Sequence, residues 1–264
     1  MRKKITIFTL LAKKGKEPIT SITAYDYTSA RILDSAGVDF ILVGDSLGMV
    51  MQGMPNTVSV TVADMIYHGK IVRRGVQYAF MAVDMPFGSY ASLGEGLANC
   101  ITVAKETGAD AVKVEGAAPV TLELISRLLA AGVCVVGHIG LQPQHINVMG
   151  GFRVQRFSNV NKLLDEAKAL EKAGAKLLVL EGMENECAGK ITESIAIPTI
   201  GIGAGVQCDG QVLVYHDMFG LYSEITPKFV KTYADAGGII KVAAEQYIEE
   251  VKLKKFPSDK YSYK

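Results

Sequence analysis

The 264-residue chain carries 28 Lys and Arg against 27 Asp and Glu, and 49% of its residues are hydrophobic. A near-zero net charge gives no general attraction for nucleic acid or an anionic membrane surface, so we expect neither as a partner. No apolar run approaches the ~18 residues that a membrane-spanning helix requires. No two of the four cysteines form a CxxC pair, and the apolar stretch after the basic start breaks at Lys13 and Lys14. We therefore expect a cytoplasmic protein without a cleaved leader.

Short β-branched runs alternate with helix-like stretches along the whole chain. Glycines close several of these stretches, because glycine accepts the left-handed conformation that ends many helices. The predicted strands are residues 19–24, 38–43, 76–83, 111–114, 133–136, 176–180, 199–202 and 212–214. This alternation predicts a parallel sheet, and about eight repeats predict a (β/α)8 TIM barrel with an additional N-terminal helix, formed as a single domain over residues 1–264. An open, doubly wound sheet is the structural alternative.

Two segments between predicted elements are longer than a simple connection requires. Residues 45–60 follow the second predicted strand, and residues 140–159 follow the fifth. Both begin at the carboxyl end of a strand, where barrel enzymes build their active sites, so we expect binding loops or lids there. After the first of them, Thr61-Val62-Ala63-Asp64 has the pattern of a capping box and predicts the start of a helix.

Four of the predicted strands end in an acidic residue: Asp45, Asp84, Glu115 and Glu181. In a closed barrel these ends converge on one mouth. Like charges brought together repel and raise one another's pKa, so a cation is expected among them. Oxygen ligands without a His or Cys cluster favour Mg²⁺, with Mn²⁺ as the alternative. For Asp45 or Asp84 alone, a helix N-cap or a solvated loop charge is the competing interpretation.

Lys113 and Glu115 lie two residues apart on the fourth predicted strand, so both side chains point to one face. If Val112 and Val114 face the helices, the charged pair faces the barrel interior. A lysine there offers an ammonium group for a substrate carboxylate. An ion pair with Glu115 is an equally open role for Lys113.

Three other features leave a functional and a structural interpretation open. His138 ends the fifth predicted strand and could reach the site, or could be a hydrogen-bonded structural histidine. The stretch Gly201-Ile202-Gly203-Ala204-Gly205 resembles a phosphate-binding loop, but close backbone packing is the preferred explanation. Cys134 lies in an apolar strand and is interpreted as core packing rather than as a nucleophile.

The strand ends together resemble the ketopantoate hydroxymethyltransferase family. The motifs that carry the resemblance are Thr23-Ala24-Tyr25-Asp26-Tyr27, Val43-Gly44-Asp45-Ser46-Leu47-Gly48-Met49, Val60-Thr61-Val62-Ala63-Asp64-Met65, Asp84-Met85-Pro86-Phe87, Val112-Lys113-Val114-Glu115-Gly116, Gly137-His138-Ile139-Gly140-Leu141, Gly201-Ile202-Gly203-Ala204-Gly205 and Thr226-Pro227-Lys228-Phe229-Val230. They run from about the first strand to the last helix.

This resemblance implies a Mg²⁺-dependent barrel enzyme of pantothenate synthesis, assembled as a homodecamer of two pentameric rings. Such an enzyme transfers a one-carbon unit from 5,10-methylenetetrahydrofolate to 3-methyl-2-oxobutanoate and gives 2-dehydropantoate. The implied roles are metal binding by Asp45, Asp84 and Glu115, keto-acid contact by Asp45, Ser46, Asp84 and Lys113, and proton acceptance by Glu181, with His138 and Tyr25 behind them. Glu115 either binds the metal directly or acts through water.

Two other functions share parts of this pattern. A Mg²⁺-dependent lyase acting on a 2-methylisocitrate-like acid would share the metal ion and the enolate, but such a lyase relies on a reactive cysteine in a loop. A non-catalytic barrel would instead bind a phosphorylated ligand at residues 201–205. The hypothesis that we carry forward is hydroxymethyl transfer, with Glu181 removing the C3 proton of a metal-bound 2-oxo acid.

Overall fold

Eight parallel strands close into a barrel in sequence order within the unit Met1–Val214. The computed structural model describes residues 2–151, 154–221 and 227–263 of the chain. The strands are β1 Ile19–Thr23, β2 Phe40–Val43, β3 Phe80–Asp84, β4 Ala111–Glu115, β5 Val135–Gly140, β6 Leu177–Glu181, β7 Thr199–Ile202 and β8 Gly210–Leu213. Because β8 pairs in parallel with β1, the sheet has no open edge, and the predicted barrel is confirmed over the open sheet.

Helices connect most of the strands, as the sequence pattern predicts. In the first unit they are α1 Ile7–Lys13, α2 Tyr27–Ala36, α3 Leu47–Val50, α4 Val62–Gly75, α5 Leu93–Thr107, α6 Pro119–Ala130, α7 Ile146–Met149, α8 Val160–Ala173 and α9 Asn185–Ser194. The second unit, Tyr215–Lys264, contains α10 Tyr215–Met218 and α11 Ala236–Lys252. The single domain predicted over residues 1–264 stays a prediction.

The start of α4 forms the capping box that the sequence predicts. The Thr61 hydroxyl accepts a hydrogen bond from the Asp64 backbone N–H, and the Asp64 carboxylate accepts one from the Thr61 backbone N–H. These two bonds satisfy backbone donors that a helix N-terminus otherwise leaves unpaired. The first turn of α4 is thereby fixed directly after the long segment 45–60.

Glycine ends α2 and α5 in the predicted way but ends α4 for a different reason. Gly37 and Gly108 have φ angles of 102° and 65°, which is the left-handed cap conformation. Gly75 is the last helical residue of α4, and a Cβ there would lie 2.6 Å from the Tyr27 carbonyl oxygen at the start of α2. Close approach of two helices therefore explains this glycine.

The barrel interior is filled by inward-facing side chains from alternate strand positions. Phe40 and Phe80 meet edge to face, with ring centroids 5.7 Å apart. They belong to one buried cluster with Ile5, Leu10, Ile19, Leu42, Ala82, Ala111, Val136, Leu177, Val179, Ile200 and Val212. The amino-terminal half of the barrel is therefore a packed core, and the open space lies toward the carboxyl ends of the strands.

The predicted N-terminal helix is confirmed as α1, and it covers the amino-terminal end of the barrel. Ile5 and Leu10 pack into the interior cluster. Three lysines of this segment reach aspartates that stand immediately before strands, in the pairs Lys4–Asp110 at 2.8 Å, Lys13–Asp39 at 2.7 Å and Lys14–Asp209 at 2.8 Å. The N-terminal segment is thus held by apolar burial at its centre and by ion pairs around its edge.

We expect the Leu10→Ala variant to lower the free energy of unfolding by about 2–5 kcal/mol, the usual cost of truncating a fully buried leucine. Phe8 lies on the same helix with 77% of its surface exposed, so Phe8→Ala is the matched control and should change stability by no more than about 0.5 kcal/mol. Urea unfolding at fixed protein concentration measures both. An equal free energy of unfolding for the two variants would show that burial of Leu10 against the barrel interior does not stabilise the protein.

The second unit is notable for the exposure of its long helix. None of the residues of α11 is buried, and its exposed apolar side chains are Ile239, Ile240, Val242, Tyr247, Ile248 and Val251. Large exposed apolar patches usually mark interaction surfaces, and these side chains are the apolar candidates for one in the second unit. Within the described part of the chain, no helix combines the length and the apolar character needed to cross a bilayer.

Candidate active site

Strand register brings the predicted charged residues to one place at the carboxyl ends of the strands, which we call the mouth. Asp84 of β3 pairs with Lys113 of β4, and Glu115 of β4 pairs with His138 of β5. Glu181 ends β6, one strand further around the barrel. Four neighbouring strands therefore deliver a continuous row of ionisable groups to the mouth.

Asp45, Asp84 and Glu115 form what we call the acid cluster, and all three are buried. Asp84 Oδ2 accepts a hydrogen bond from the Asp45 backbone N–H at 3.1 Å, and Asp84 Oδ1 accepts one from Lys113 Nζ at 2.8 Å. Ser46, not Asp45, caps α3, and Asp84 is the last residue of β3. Neither aspartate is therefore a helix N-cap.

Lys113 is the ammonium group of this cluster, and only 5% of its side chain is exposed. Its nearer partner is Asp84, while Glu115 Oε1 lies 4.0 Å away, so the ion pair with Glu115 is the weaker of the two contacts. Burial opposes the charged form, but Asp84, Glu115 and Asp45 together raise the pKa of Lys113. The lysine is accordingly a fixed positive charge.

His138 lies between two carboxylates at the mouth, so it is both hydrogen-bonded and within reach of the site, and its role stays a prediction. Its Nδ1 is 3.1 Å from Glu115 Oε1 in a hydrogen bond, and its Nε2 is 3.3 Å from Glu181 Oε2 without hydrogen-bond alignment. Burial would lower the pKa of His138, but the two glutamates outweigh it and raise that pKa to about 9. The imidazole is thus positively charged near neutral pH.

Negative charge remains in excess in the row. Asp45, Asp84, Glu115 and Glu181 supply four potential negative charges, against one each from Lys113 and protonated His138. Burial, together with nearby Asp84 and Glu115, raises the pKa of Asp45 well above its usual range. If every acid is ionised, these six groups together carry about two net negative charges. A divalent cation would neutralise them.

Ser46 and Tyr25 meet at the β1–β2 side of the mouth. The Tyr25 hydroxyl and the Ser46 hydroxyl are 2.8 Å apart, and Tyr25 is buried. Ser46 directly follows Asp45 in sequence, so the pair brings the Tyr25 hydroxyl to the residue next to this acid. A supporting role for Tyr25 at the site stays a prediction.

Two residues of the mouth were missed by the sequence interpretation. Gln144 belongs to a short 3₁₀ turn, Pro143–His145, at the beginning of the long segment 140–159. Its amide nitrogen donates to Asp45 Oδ2 at 2.8 Å, and its amide oxygen accepts from the Tyr90 hydroxyl at 2.8 Å. No sequence pattern marks either residue, because both contacts depend on how two separate loops fold over the strand ends.

A cavity of about 490 Å³ opens beside the acid cluster. Its lining includes Phe87, Tyr90, Glu115, Gln142, Gln144 and His145. The long segment 140–159 contributes three of these residues, which agrees with the expected binding loop; residues 152 and 153 of that segment lie outside the described residues. Of the acid cluster and its charged neighbours, Glu115 alone lines this cavity, which therefore lies on the Glu115 side of the mouth rather than over Asp45 and Asp84.

The features proposed for the alternative functions do not gather at the mouth. Burial raises the pKa of the Cys100 thiol to about 12 and those of the Cys134 and Cys208 thiols to about 11, and it also raises the pKa of Cys187. Raised thiol pKa values oppose nucleophilic cysteine chemistry. A Cβ on Gly205 would lie 2.1 Å from Asn185 Oδ1, which agrees with close packing in the 201–205 turn.

The donor set suits a hard divalent cation bound by few protein ligands. Within the described residues, no three or more Asp, Glu, His or Cys side chains converge as a ready-made metal cage. Glu115 also has both oxygens facing protein groups, with Oε1 near His138 and Oε2 3.4 Å from the Gln144 backbone N–H. The oxygens of Asp84 likewise accept from Lys113 and from the Asp45 backbone N–H. Each acid therefore leaves few positions for a cation, which suits Mg²⁺, because it commonly uses one or two carboxylates plus water and substrate.

Comparison with known proteins places this chain among close relatives over nearly its whole length. Residues 4–259 match the family model described as ketopantoate hydroxymethyltransferase. The chain is 52% identical to the 3-methyl-2-oxobutanoate hydroxymethyltransferase of Carboxydothermus hydrogenoformans, covering 95% of this chain and 92% of that protein. It is 49% identical to the enzyme of the same name from Clostridium botulinum, covering 100% of this chain and 96% of the relative.

Solved structures of lower sequence identity share the barrel. A 2,3-dimethylmalate lyase, a PEP mutase/isocitrate lyase superfamily member, is 15% identical with a TM-score of 0.60, covering 97% of this chain and 91% of that one. A phosphonopyruvate hydrolase, solved in complex with oxalate and Mg²⁺, is 12% identical with a TM-score of 0.63, covering 100% and 92%. At these identities the likeness concerns the fold alone.

Proposed function

The chain belongs to the ketopantoate hydroxymethyltransferase family, and from that premise we propose how its mouth carries out the transfer. The enzyme is a 3-methyl-2-oxobutanoate hydroxymethyltransferase of pantothenate synthesis. The observation that carries the proposal is the row of neighbouring ionisable groups that β3, β4, β5 and β6 deliver to the mouth.

In this proposal Asp45 and Asp84 hold a Mg²⁺ ion, and Mn²⁺ can replace it. Both carboxylates are buried, adjacent and only partly neutralised by Lys113. Glu115 acts through water; its two oxygens, like those of Asp84, also contact protein groups. When bound, the ion supplies Lewis-acid polarisation of the 2-oxo group of the substrate.

Lys113 and Ser46 orient the keto acid. An ammonium has three donors, and one of those of Lys113 is given to Asp84, so two remain for the substrate carboxylate. The Ser46 hydroxyl, held by Tyr25, lies at the same end of the mouth. Together they would bind and orient the 2-oxo acid.

Glu181 removes the proton from C3. Its side chain is 19% exposed, which makes it more accessible than the acids of the cluster, and His138 lies 3.3 Å from its Oε2. Loss of the C3 proton leaves an enolate carbon, which attacks the one-carbon unit of 5,10-methylenetetrahydrofolate. The new C–C bond replaces one of the two C–N bonds of the methylene carbon, and water replaces the other to give the hydroxyl group of 2-dehydropantoate. The proton from C3 and one proton from water pass to the two folate nitrogens.

The proposal also includes the assembly and location of the enzyme. The exposed apolar residues of α11 favour association with further copies of the chain, in keeping with a homodecamer of two pentamers. A cytoplasmic location fits a biosynthetic enzyme whose substrates are small anions. Nucleic acid and membrane have no part in it.

The test is ketopantoate formation from the keto acid and 5,10-methylenetetrahydrofolate, with and without EDTA. We expect chelation to abolish product formation and added Mg²⁺ or Mn²⁺ to restore it, because the two aspartates do not polarise a carbonyl group by themselves. Calcium, which prefers longer bonds and more ligands, serves as the comparison ion. Full activity in EDTA would contradict the metal requirement. Absence of product with every ion tested would contradict the proposed reaction.

A further inference from the structure

The Gln144 side chain is almost completely enclosed at the mouth, with only 4% of the residue exposed. Its Nε2 donates both hydrogens, one to Asp45 Oδ2 at 2.8 Å and one to the Met85 carbonyl oxygen at 2.9 Å. Its Oε1 accepts from the Tyr90 hydroxyl at 2.8 Å. Since Asp45 and Met85 both present acceptors, only the nitrogen can face them, so the orientation of the amide is determined.

Tyr90 connects this amide to a second strand of the site. Its hydroxyl donates to Gln144 and accepts from the Glu115 backbone N–H at 3.1 Å. The chain of bonds therefore runs from the end of β4 through Tyr90 and Gln144 to Asp45, which follows β2. Each member is buried, so each bond restricts the next more than it would in water.

The contact with Gln144 makes the two oxygens of Asp45 unequal. Among the described residues, hydrogen-bond donors to the Asp45 carboxylate reach Oδ2 only, through Gln144. Asp84 is oriented independently, by Lys113 at one oxygen and by the Asp45 backbone N–H at the other. The two acids are thus aligned by separate donors.

We propose that Gln144, braced by Tyr90, is a positioning residue that fixes the Asp45 carboxylate and leaves Oδ1 as its metal-binding oxygen. The inference rests on the proposed function, because it assumes that Asp45 binds a divalent ion. An amide suits this task since it donates without adding charge. A lysine would compete with the ion for Asp45, and a glutamate would place a third acceptor against Asp45 and Met85.

The experiment measures metal binding as well as activity. Mn²⁺ affinity is determined by electron paramagnetic resonance without substrate, and the Mg²⁺ concentration for half-maximal activity is determined with substrates saturating. We expect Gln144→Leu to weaken Mn²⁺ binding by about 10–100-fold, the usual effect of losing a partner that orients a ligand, and to raise the Mg²⁺ requirement in proportion. Activity should largely recover at saturating Mg²⁺.

Asn147→Leu is the matched control, because this amide lies exposed on α7 in the same segment; we expect wild-type metal affinity. A merely structural role for Gln144 would lower activity at every Mg²⁺ concentration and leave the half-maximal concentration unchanged. If Gln144→Leu fails to fold, Tyr90→Phe removes only the bracing hydroxyl and should weaken Mn²⁺ binding several-fold.

The inference is wrong if the wild-type enzyme binds Mn²⁺ and a folded Gln144→Leu protein binds it within twofold of the wild type. For Tyr90→Phe, unchanged Mn²⁺ affinity contradicts the bracing role in the same way. If the wild-type enzyme makes ketopantoate in EDTA and binds no Mn²⁺, the metal site of the proposed function is wrong, and this outcome is distinct from an error in the role of Gln144.

Discussion

Replacing Asp84 with alanine is expected to reduce ketopantoate formation by about 10³-fold or more and to abolish Mg²⁺ binding measured by calorimetry. A bound metal ion stabilises developing charge by several kcal/mol, and each 1.36 kcal/mol corresponds to a factor of ten in rate. Asp84 is also the main partner of Lys113, so its loss frees an ammonium group at the place where the cation should bind. Both effects act in the same direction.

The Asp84→Ala protein must be shown to be folded, because removing one partner of a buried ion pair costs about 3–5 kcal/mol of stability. Asp84→Asn keeps the size of the side chain and is the second variant. Asp165→Ala changes an exposed aspartate on α8 and should leave activity and Mg²⁺ binding intact. Intact Mg²⁺ affinity in a folded Asp84 variant would contradict the role of the acid cluster as the metal site.

Glu181→Gln should slow deuterium exchange at C3 of 3-methyl-2-oxobutanoate by about 10²–10⁴-fold, the usual contribution of a general base. The measurement follows the keto acid by NMR in heavy water with enzyme and Mg²⁺ but without folate, so it isolates proton removal from transfer. Mn²⁺ binding should stay within about twofold of the wild-type value, since Glu181 is not one of the proposed metal ligands.

Glu186→Gln provides the matched control, as this glutamate is exposed on α9 just after β6. It should exchange deuterium at the wild-type rate. Exchange at the wild-type rate in Glu181→Gln would instead exclude Glu181 as the base.

The position of the acids could be predicted because the relevant signal is local. A β-branched run followed directly by Asp or Glu identifies a strand end, and a parallel barrel places all such ends at one mouth. The partners of these acids could not be predicted in the same way. Lys113 pairs chiefly with Asp84 rather than with Glu115, since the β3–β4 register sets those two side by side.

Gln144 and Tyr90 illustrate a second limit. Each belongs to a loop whose path depends on tertiary packing, and an amide or a phenol in a loop has many ordinary roles. Gly75 is a similar case, because its sequence context resembles that of Gly37 while its structural reason is contact between α2 and α4. Thr226, within one of the motifs that resemble the family, lies outside the described residues.

Ile5 and Leu10 pack into the interior cluster at the amino-terminal end of the barrel, so that end is filled by side chains. Small molecules therefore reach the acids through the mouth, at the carboxyl ends of the strands. For the proposed reaction, both substrates therefore approach the acids, and the product leaves them, through the mouth, at the end of the barrel opposite α1.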